Sequence, residues 1–369
     1  MDKIRVGVFF GGRSPEHEVS VVSAAHVVAN LCRNKYEVVL IGVSRTGRLC
    51  RNEHDIRKNC IGAEMVINAK GHRTEESKEA GQEDLGEFSC GGIDVAFPLL
   101  HGPFGEDGTI QGLFRQVDLP YVGASVKGSA ICMDKDVTKR LLRESGILTA
   151  RHCSFYRHEM NSIRYKDVSN QLGDVLFVKP ANQGSSVGIS KVARSEDFVS
   201  AVQNAFHYDN KILIEEYIRG REIECSVLGN EQPEASVPGE IVLRSGFYSY
   251  SAKYLNEDEA ELKIPADLPE SVVNRIQEIA VKAFQILCCE GMARVDFFVQ
   301  NNSAIYLNEV NTIPGFTKIS MYPKLWMESG LSYGDLLNRL ISLAMSRHRR
   351  DSAISNICAE LSNSRDAVA

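Results

Sequence analysis

The sequence predicts an α/β and α+β protein: a parallel α/β segment, then two α+β segments, with joints near residues 130 and 218. Three observations predict this. IRVGVFFGG (4–12) and YEVVLIGVS (36–44) are short apolar runs, and EHEVSVVSAAHVVANL between them reads as a helix, which makes a βαβ unit. PESVVNRIQEIAVKAFQILC (269–288) carries apolar residues at 272, 273, 276, 279, 283, 286 and 287, the stripe of an amphipathic helix. GMARVDFFVQ and AIYLNEVN read as two strands joined by NNS, a hairpin.

Taken in order, the first run is apolar throughout and ends in two glycines, as expected of a buried parallel strand entering a turn. Residues 70–88 are polar and charged and read as a surface excursion. GIDVAFPLLHG (92–102) is a further strand running into a loop, and HGPFGEDGTIQG (101–112) carries four glycines and opens a helix. MDKDVTKRLLRESG (133–146) is a helix with Asp134 as N-cap and Gly146 as its stop. DVLFVKP (174–180) and KILIEEYI (211–218) are strands flanking a helix near 195–206. The Gly-, Ser- and Tyr-rich segment SGFYSYSAKYLNEDEAELKIPA reads as a mobile lid near 240–262, and the Ser- and Ala-rich residues 350–369 as a peripheral tail. The expected organisation is therefore 1–130, 131–218, 219–349 and the tail.

Composition excludes several classes. The net charge of −6 argues against a general nucleic-acid surface. None of the ten cysteines forms a C-x-x-C pair, so a zinc site is disfavoured, and those in apolar runs read as reduced thiols of a cytosolic protein. No apolar run approaches the ~20 residues that span a bilayer, and the N-terminus lacks a signal peptide's pattern.

The chemistry-bearing residues cluster in a few segments. In a strand, alternate residues share a face, so Arg294 and Asp296 share one, as do Glu309 and Asn311, and a hairpin can bring the two faces together. Oxygen-only donors suit Mg²⁺, although a solvated face with an Arg–carboxylate pair would read the same way. Lys135 just inside a helix start, Lys179 at a strand end and Lys253 in the lid suit phosphates as point charges; each alone also suits a surface position. Glu16 follows the first strand, at the edge where open α/β sheets bind ligands, and near a helix start where an acid also simply offsets the dipole. In VKPANQGSSVGIS (178–190) the lysine precedes the glycines, so this loop is not a P-loop.

Eight segments in matching order, GGRSPEHEVS, HGPFGEDGTIQG, MDK, VKPANQGSSVGISK, LIEEYIRGRE, YSAKY, ARVDFF and LNEVNTIPGFTKISMYP, resemble the D-alanine–D-alanine ligases of the ATP-grasp superfamily over roughly residues 4–345. The resemblance implies an ATP-grasp fold, in which the central and C-terminal segments clasp ATP. It implies ATP-dependent joining of two D-alanines for peptidoglycan through an acyl phosphate, two Mg²⁺ or Mn²⁺ ions, a cytoplasmic location and a homodimer. Carried over residue by residue, Glu16 would anchor the first D-alanine's ammonium, with Ser185 and Tyr254 as hydrogen-bonded partners and His101 beside its carboxylate. Arg294 and the Gly315 N–H would form the oxyanion hole, and Ser320 with Met321 would meet the second D-alanine's carboxylate. Asp296, Glu309 and Asn311 would hold the metal ions. Lys135, Lys179 and Lys253 would contact phosphates, Glu216, Tyr217 and Ile218 adenine, and Glu222 the ribose. Tyr254 favours an amine nucleophile over D-lactate, whereas D-serine stays open. Gln183 stands where some members carry an acidic residue, and Ser249 where many have Asp. Another carboxylate–amine ATP-grasp ligase and a non-catalytic nucleotide-binding module are the rival readings. HGPFGEDG and YSAKY speak against the first, and the two carboxylates with Arg294 against the second.

Overall fold

The computed structural model describes residues 2–51, 53–60, 92–243 and 260–366, with the last helix described by its backbone alone beyond residue 354. Among these residues the strands form three sheets.

The first sheet comprises β1 (Ile4–Gly11), β2 (Tyr36–Val43), β3 (Leu49–Cys50) and β4 (Val95–Pro98), in the order β3-β2-β1-β4, with β1 parallel to both β2 and β4. Helix α1 (His17–Asn30) makes the crossover, while α2 (Glu53–Asn59) and α3 (Thr109–Gln116) flank the sheet. The unbroken apolar character of β1 has a plain cause: both faces are covered. Val6, Val8 and Phe10 pack into one core cluster with Val21, Ala24 and Val27 of α1, and Phe9 packs on the other side with Ile110 and Phe114 of α3.

The central segment contributes α4 (Val126–Met133), α5 (Lys135–Glu144), β5 (His152–Tyr156), α6 (Tyr165–Leu172), β6 (Leu176–Pro180), β7 (Ser190–Val192), α7 (Phe198–Tyr208) and β8 (Lys211–Glu216). Its antiparallel sheet runs β5-β8-β6-β7 and packs α6 and α7 into a core of its own. Asp134 caps α5 as expected, its Oδ1 accepting the Asp136 and Val137 N–H groups at 3.0 and 3.1 Å. Gly146 follows the helix at φ +76°, a left-handed conformation that glycine adopts without strain.

The last segment contributes β9 (Arg221–Gly229), β10 (Glu234–Ala235), β11 (Gly239–Leu243), β12 (Ala260–Lys263), α8 (Glu270–Ile286), β13 (Gly291–Gln300), β14 (Ala304–Asn311), α9 (Met321–Glu328) and α10 (Tyr333–Asp366). The sheet runs β12-β11-β9-β13-β14, with β10 on β9, and α8 lays Val272, Ile276, Ala283 and Phe284 on it. Within the anticipated 350–369 tail α10 continues to Asp366, since nothing in that stretch breaks a helix. The anticipated lid falls largely on residues outside the described ones, between the antiparallel pair β11 and β12.

The first and last segments share a core. Phe316, Tyr322 and Trp326, with Leu336, Leu340 and Ile341 of α10, pack into the cluster that holds Val6, Val8 and Phe97. Phe97 and Phe316 meet edge to face at 5.8 Å. This fixes the loop after β14 against the C-terminal ends of β1 and β4. The central sheet, with its separate core, meets β14 through a bridge between Thr149 and Leu307, where the Leu307 N–H donates to the Leu148 carbonyl at 2.8 Å.

Candidate active site

The hairpin β13–β14 forms one wall. Its register pairs Arg294 with Asn311 and Asp296 with Glu309, so these four side chains lie on one face. Between Asp296 and Phe297 the register shifts: Asp296 faces Glu309 but Phe297 faces Leu307, which leaves Asn308 as an extra, bulged residue. The bulge has a visible consequence. Ile305, Leu307 and Val310 all turn into the core, so Glu309 is released onto the opposite face from Leu307, where an unbroken strand would have put both together. Arg294 lays its guanidinium on Asp296 through two bonds of 2.8 Å and lies 2.9 Å from Glu224 Oε2. The Asn311 amide donates to Asp296 Oδ2 at 2.9 Å.

The facing wall comes from α5, β6 and β8. Lys135 and Lys139 stand one helical turn apart and project from the buried side of α5. The Lys135 ammonium donates to the Gln183 carbonyl at 2.6 Å and lies 3.6 Å from Glu309 Oε2. Lys179 meets Glu215 at 2.7 Å, and Lys139 meets the other oxygen of Glu215 at 3.2 Å. Lys139 is wholly buried, and burial pushes its amino group down to about 8, against the pull of Glu215. Burial raises the Glu215 carboxyl, but the charges of Lys139 and Lys179 outweigh it and hold it below the usual range. Below this network, Lys211 binds Asp134 and Asp136, and His152 Nε2 contacts Asp136 at 3.1 Å. Burial lowers His152, so the neutral ring donates through Nε2.

The third wall is the first sheet's C-terminal edge. Glu16 occupies the N-cap position of α1, yet its side chain makes no capping bond. It is buried, and its Oε1 accepts the Ser185 hydroxyl, a contact across 169 residues. A Cβ at Gly184 would come within 3.0 Å of Glu16 Oε2 and one at Gly102 within 2.6 Å, so the two glycines make room for this carboxylate. The loop around Ser185 turns tightly, with Ser185 at φ +48° and Ser186 at φ +60°. Non-glycine residues in this region are strained, and such strain gathers at functional sites.

His101 is buried and neutral, its basicity lowered by burial despite the nearby Glu16. Its Nδ1–H donates to the Ile313 carbonyl at 3.0 Å, and its Nε2 accepts from the Ser23 hydroxyl at 3.3 Å. Ser23 Oγ in turn accepts the Phe316 N–H. His101 is thus brought to the site as a clamp on the 312–317 loop that carries Gly315. Glu106 clamps the same loop, accepting from the Gly102 and Ile313 N–H groups at 2.7 and 3.1 Å. Burial and the Glu16 charge push its carboxyl up to about 8. Ser320 Oγ bonds the Thr317 N–H at 2.9 Å and lies where a Cβ on Gly315 would collide at 2.7 Å. Met321 next to it is turned into an apolar cluster with Ile241 and Leu325.

The remaining expected residues are less concentrated. The Glu216 side chain is spent on Arg151, with contacts of 2.6–2.8 Å, so only its backbone remains for a nucleotide. Tyr217 is half exposed beside Phe177 and Lys191, Ile218 follows at the strand end, and Glu222 lies on β9 opposite Phe298. Lys253 and Tyr254 lie outside the described residues. Glu106, Lys139, Glu215 and Glu224 were not anticipated. Lys139 carries a signal in the sequence, its four-residue spacing from Lys135 on one helix face.

As to a metal, among the described residues no three His, Cys, Asp or Glu side chains converge on one point. Asp296 and Glu309, paired in register with the Asn311 amide alongside, still fit a hard cation that brings its own water and phosphate oxygens and needs only one or two carboxylates.

Residues 5–124 match the family model described as D-ala D-ala ligase N-terminus, and residues 141–342 match D-ala D-ala ligase C-terminus. The chain belongs to the D-alanine–D-alanine ligase family. A D-alanine–D-alanine ligase of Shouchella clausii is 48% identical over 365 residues, covering 95% of this chain and 97% of that protein. The solved D-alanine–D-alanine ligase of Coxiella burnetii superposes with a TM-score of 0.79 at 37% identity, over 97% of this chain and all of that one. The VanG D-Ala:D-Ser ligase of Enterococcus faecalis gives 0.77 at 34% identity, over 93% of this chain and all of that one. A Bacillus anthracis D-alanine–D-alanine ligase complexed with ATP gives 0.71 at 28% identity, over 94% of this chain and 99% of that one. The three sheets are accordingly those of the ATP-grasp ligases.

Proposed function

We propose that the chain joins two D-alanine molecules with ATP, giving D-alanyl-D-alanine, ADP and phosphate for peptidoglycan precursors. The observation that carries this reading best is the Ser185–Glu16 bond, which brings the glycine–serine loop of the central segment onto a buried, uncapped carboxylate of the first. An amino acid's ammonium is the partner that such a carboxylate suits. The first D-alanine's carboxylate then attacks the γ-phosphate of ATP. The second D-alanine's amine attacks the resulting acyl phosphate, and phosphate leaves.

Each step has a group in the site to serve it. Lys135 and Lys179, backed by Glu309 and Glu215, face where polyphosphate charge would lie. Arg294 is pre-oriented by Asp296 and Glu224, and with the Gly315 N–H it would meet the oxyanion of the tetrahedral intermediate. His101 and Glu106 hold the Gly315 loop in place for that purpose. Ser320, beside Gly315, would bind the second carboxylate, while Lys253 would serve the phosphates and Tyr254 would join Ser185 at the first D-alanine. Asp296, Glu309 and Asn311 would hold one or two Mg²⁺ or Mn²⁺ ions, which supply neutralisation of the polyphosphate.

We further propose a cytoplasmic homodimer, as the family resemblance implies. The test is incubation with D-alanine, ATP and Mg²⁺. Release of ADP and phosphate with a dipeptide is expected, and an absence of D-alanine-dependent ATP turnover would sink the reading. Running D-serine and D-lactate in parallel tests the choice of second substrate, which the likeness to a D-Ala:D-Ser ligase makes worth measuring.

A further inference from the structure

One buried cation has no part in the chemistry above. Lys139 is fully enclosed, and burying an ammonium is costly unless it is paired and hydrogen-bonded. Its two contacts lie on different sheets. One is Glu215 Oε1 at 3.2 Å, on the middle of the central sheet, and the other is the Asn308 carbonyl at 3.3 Å, on β14.

Each contact stands directly behind a group of the nucleotide site. Glu215 holds the Lys179 ammonium at 2.7 Å through its other oxygen. Asn308 is the bulged residue, and a bulge leaves its extra residue without a ladder partner. The same bulge turns Glu309 out of the core. Lys139 therefore satisfies the carbonyl that the bulge frees, one residue before Glu309, while holding the acid that aims Lys179. The central sheet meets β14 near the Thr149–Leu307 bridge, and α4 and α5 pack on the last sheet through Cys132 and Leu142, so a buried charge that joins β8 to β14 helps to set how far apart the two walls stand.

We infer that Lys139 is a positioning residue for the nucleotide: through Glu215 and the Asn308 carbonyl it fixes the spacing between the phosphate-facing Lys179 and the carboxylate of Glu309. The inference rests on the ATP site proposed above. It touches neither the Glu16–Ser185 contact nor the Gly315 loop, so its effect is confined to ATP.

The test compares wild type, Lys139→Met, Glu215→Gln and the double variant. It measures KM for ATP, KM for D-alanine and the dissociation constant of a non-hydrolysable ATP analogue with Mg²⁺. For Lys139→Met the expected result is a rise of about tenfold in the ATP KM and in the analogue's dissociation constant, the range typical of supporting contacts behind a site. The D-alanine KM should stay within about twofold, and the double variant should fall short of the product of the single effects, as groups acting in one chain do. Equal rises in both KM values, or a lower Tm with unchanged ATP affinity, would overturn the inference and leave Lys139 a packing residue. Should Lys139→Met fail to fold, the near-isosteric Glu215→Gln decides: analogue affinity equal to wild type overturns it. A wild type that binds the analogue but shows no D-alanine-dependent turnover counts against the ligase reading, and the analogue's affinity still reads the positioning role.

Discussion

The wall built from α5, β6 and β8 and the wall built from β13 and β14 solve opposite electrostatic problems. On the first, Lys139 and Lys179 share the acid Glu215, and Lys135 reaches across the gap to Glu309. On the second, Asp296 and Glu224 flank Arg294, and Glu309 faces Asp296 across the hairpin. One wall has cation to spare and the other has carboxylate to spare, which is what a polyphosphate and a divalent cation would each complete. The walls also differ in how they are stiffened. The hairpin relies on backbone register, which puts Arg294, Asp296, Glu309 and Asn311 in place together. The lysine wall relies on side-chain ion contacts between a helix and a sheet, which can be removed one at a time.

The comparison predicts that the hairpin wall is the more costly to damage. Arg294→Ala should lower turnover by about 10²-fold or more, the range measured elsewhere for loss of one oxyanion donor. The loss combines a missing donor with Asp296 and Glu224 left facing each other unbalanced. ADP release at saturating ATP and D-alanine checks this, and a near-normal turnover number would remove Arg294 from the reaction.

Glu309→Gln should act more mildly and through the cation. The Mg²⁺ concentration giving half-maximal turnover should rise about tenfold or more. A Mg²⁺ titration identical to wild type would show that Glu309 serves Lys135 alone and is no metal ligand.

These two walls were unequally legible in the sequence. The face shared by Arg294 and Asp296, and that shared by Glu309 and Asn311, follow from strand alternation, but the register counted from the NNS turn alone would set Asp296 opposite Asn308 rather than Glu309. The bulge at Asn308 was not legible, because a single unpaired residue leaves no pattern in an apolar–polar run, although it decides that Glu309 points outward. On the lysine wall, Lys135 and Lys179 stand out at a helix start and a strand end. Their support does not: in the doublet Glu215–Glu216 the two acids are alike in sequence, and only the strand's pleat sends Glu215 inward to two lysines and Glu216 outward to Arg151. The Glu16–Ser185 contact joins residues too far apart in the chain for any local signal, and came into view through family resemblance alone. The fold was readable because its strands and amphipathic helices are local. The helix that runs through residues 350–366 was not read from the sequence, because Ser- and Asn-containing stretches without a packed apolar stripe look like a tail even where alanines favour a helix.

The smallest expected effect lies behind the lysine wall, and its pH dependence has a definite sign. Burial opposes ionisation of Asp136, but hydrogen bonds from Lys211 and His152 and the charges of Lys211 and Arg140 outweigh it, so its folded-state carboxyl titrates below its ordinary value. A depressed carboxylate contributes stability that is present above its unfolded value of about 3.9 and is lost as pH falls through the folded one. Asp136→Asn removes the charge at every pH but keeps the shape. At pH 7 the variant should therefore be the less stable by about 2 kcal/mol, the scale of a hydrogen bond to a charged group. Below about pH 4 the unfolded chain takes up a proton at Asp136 before the folded one does, so the wild type's advantage falls until the folded carboxyl is protonated too. The gap between the two Tm values should narrow there and close at lower pH, with little change in turnover at pH 7, since Asp136 contacts no group facing substrate. A gap that stayed constant from pH 7 to pH 3 would mean that Asp136 works by packing, and that the ion contacts behind this wall are not what stiffens it.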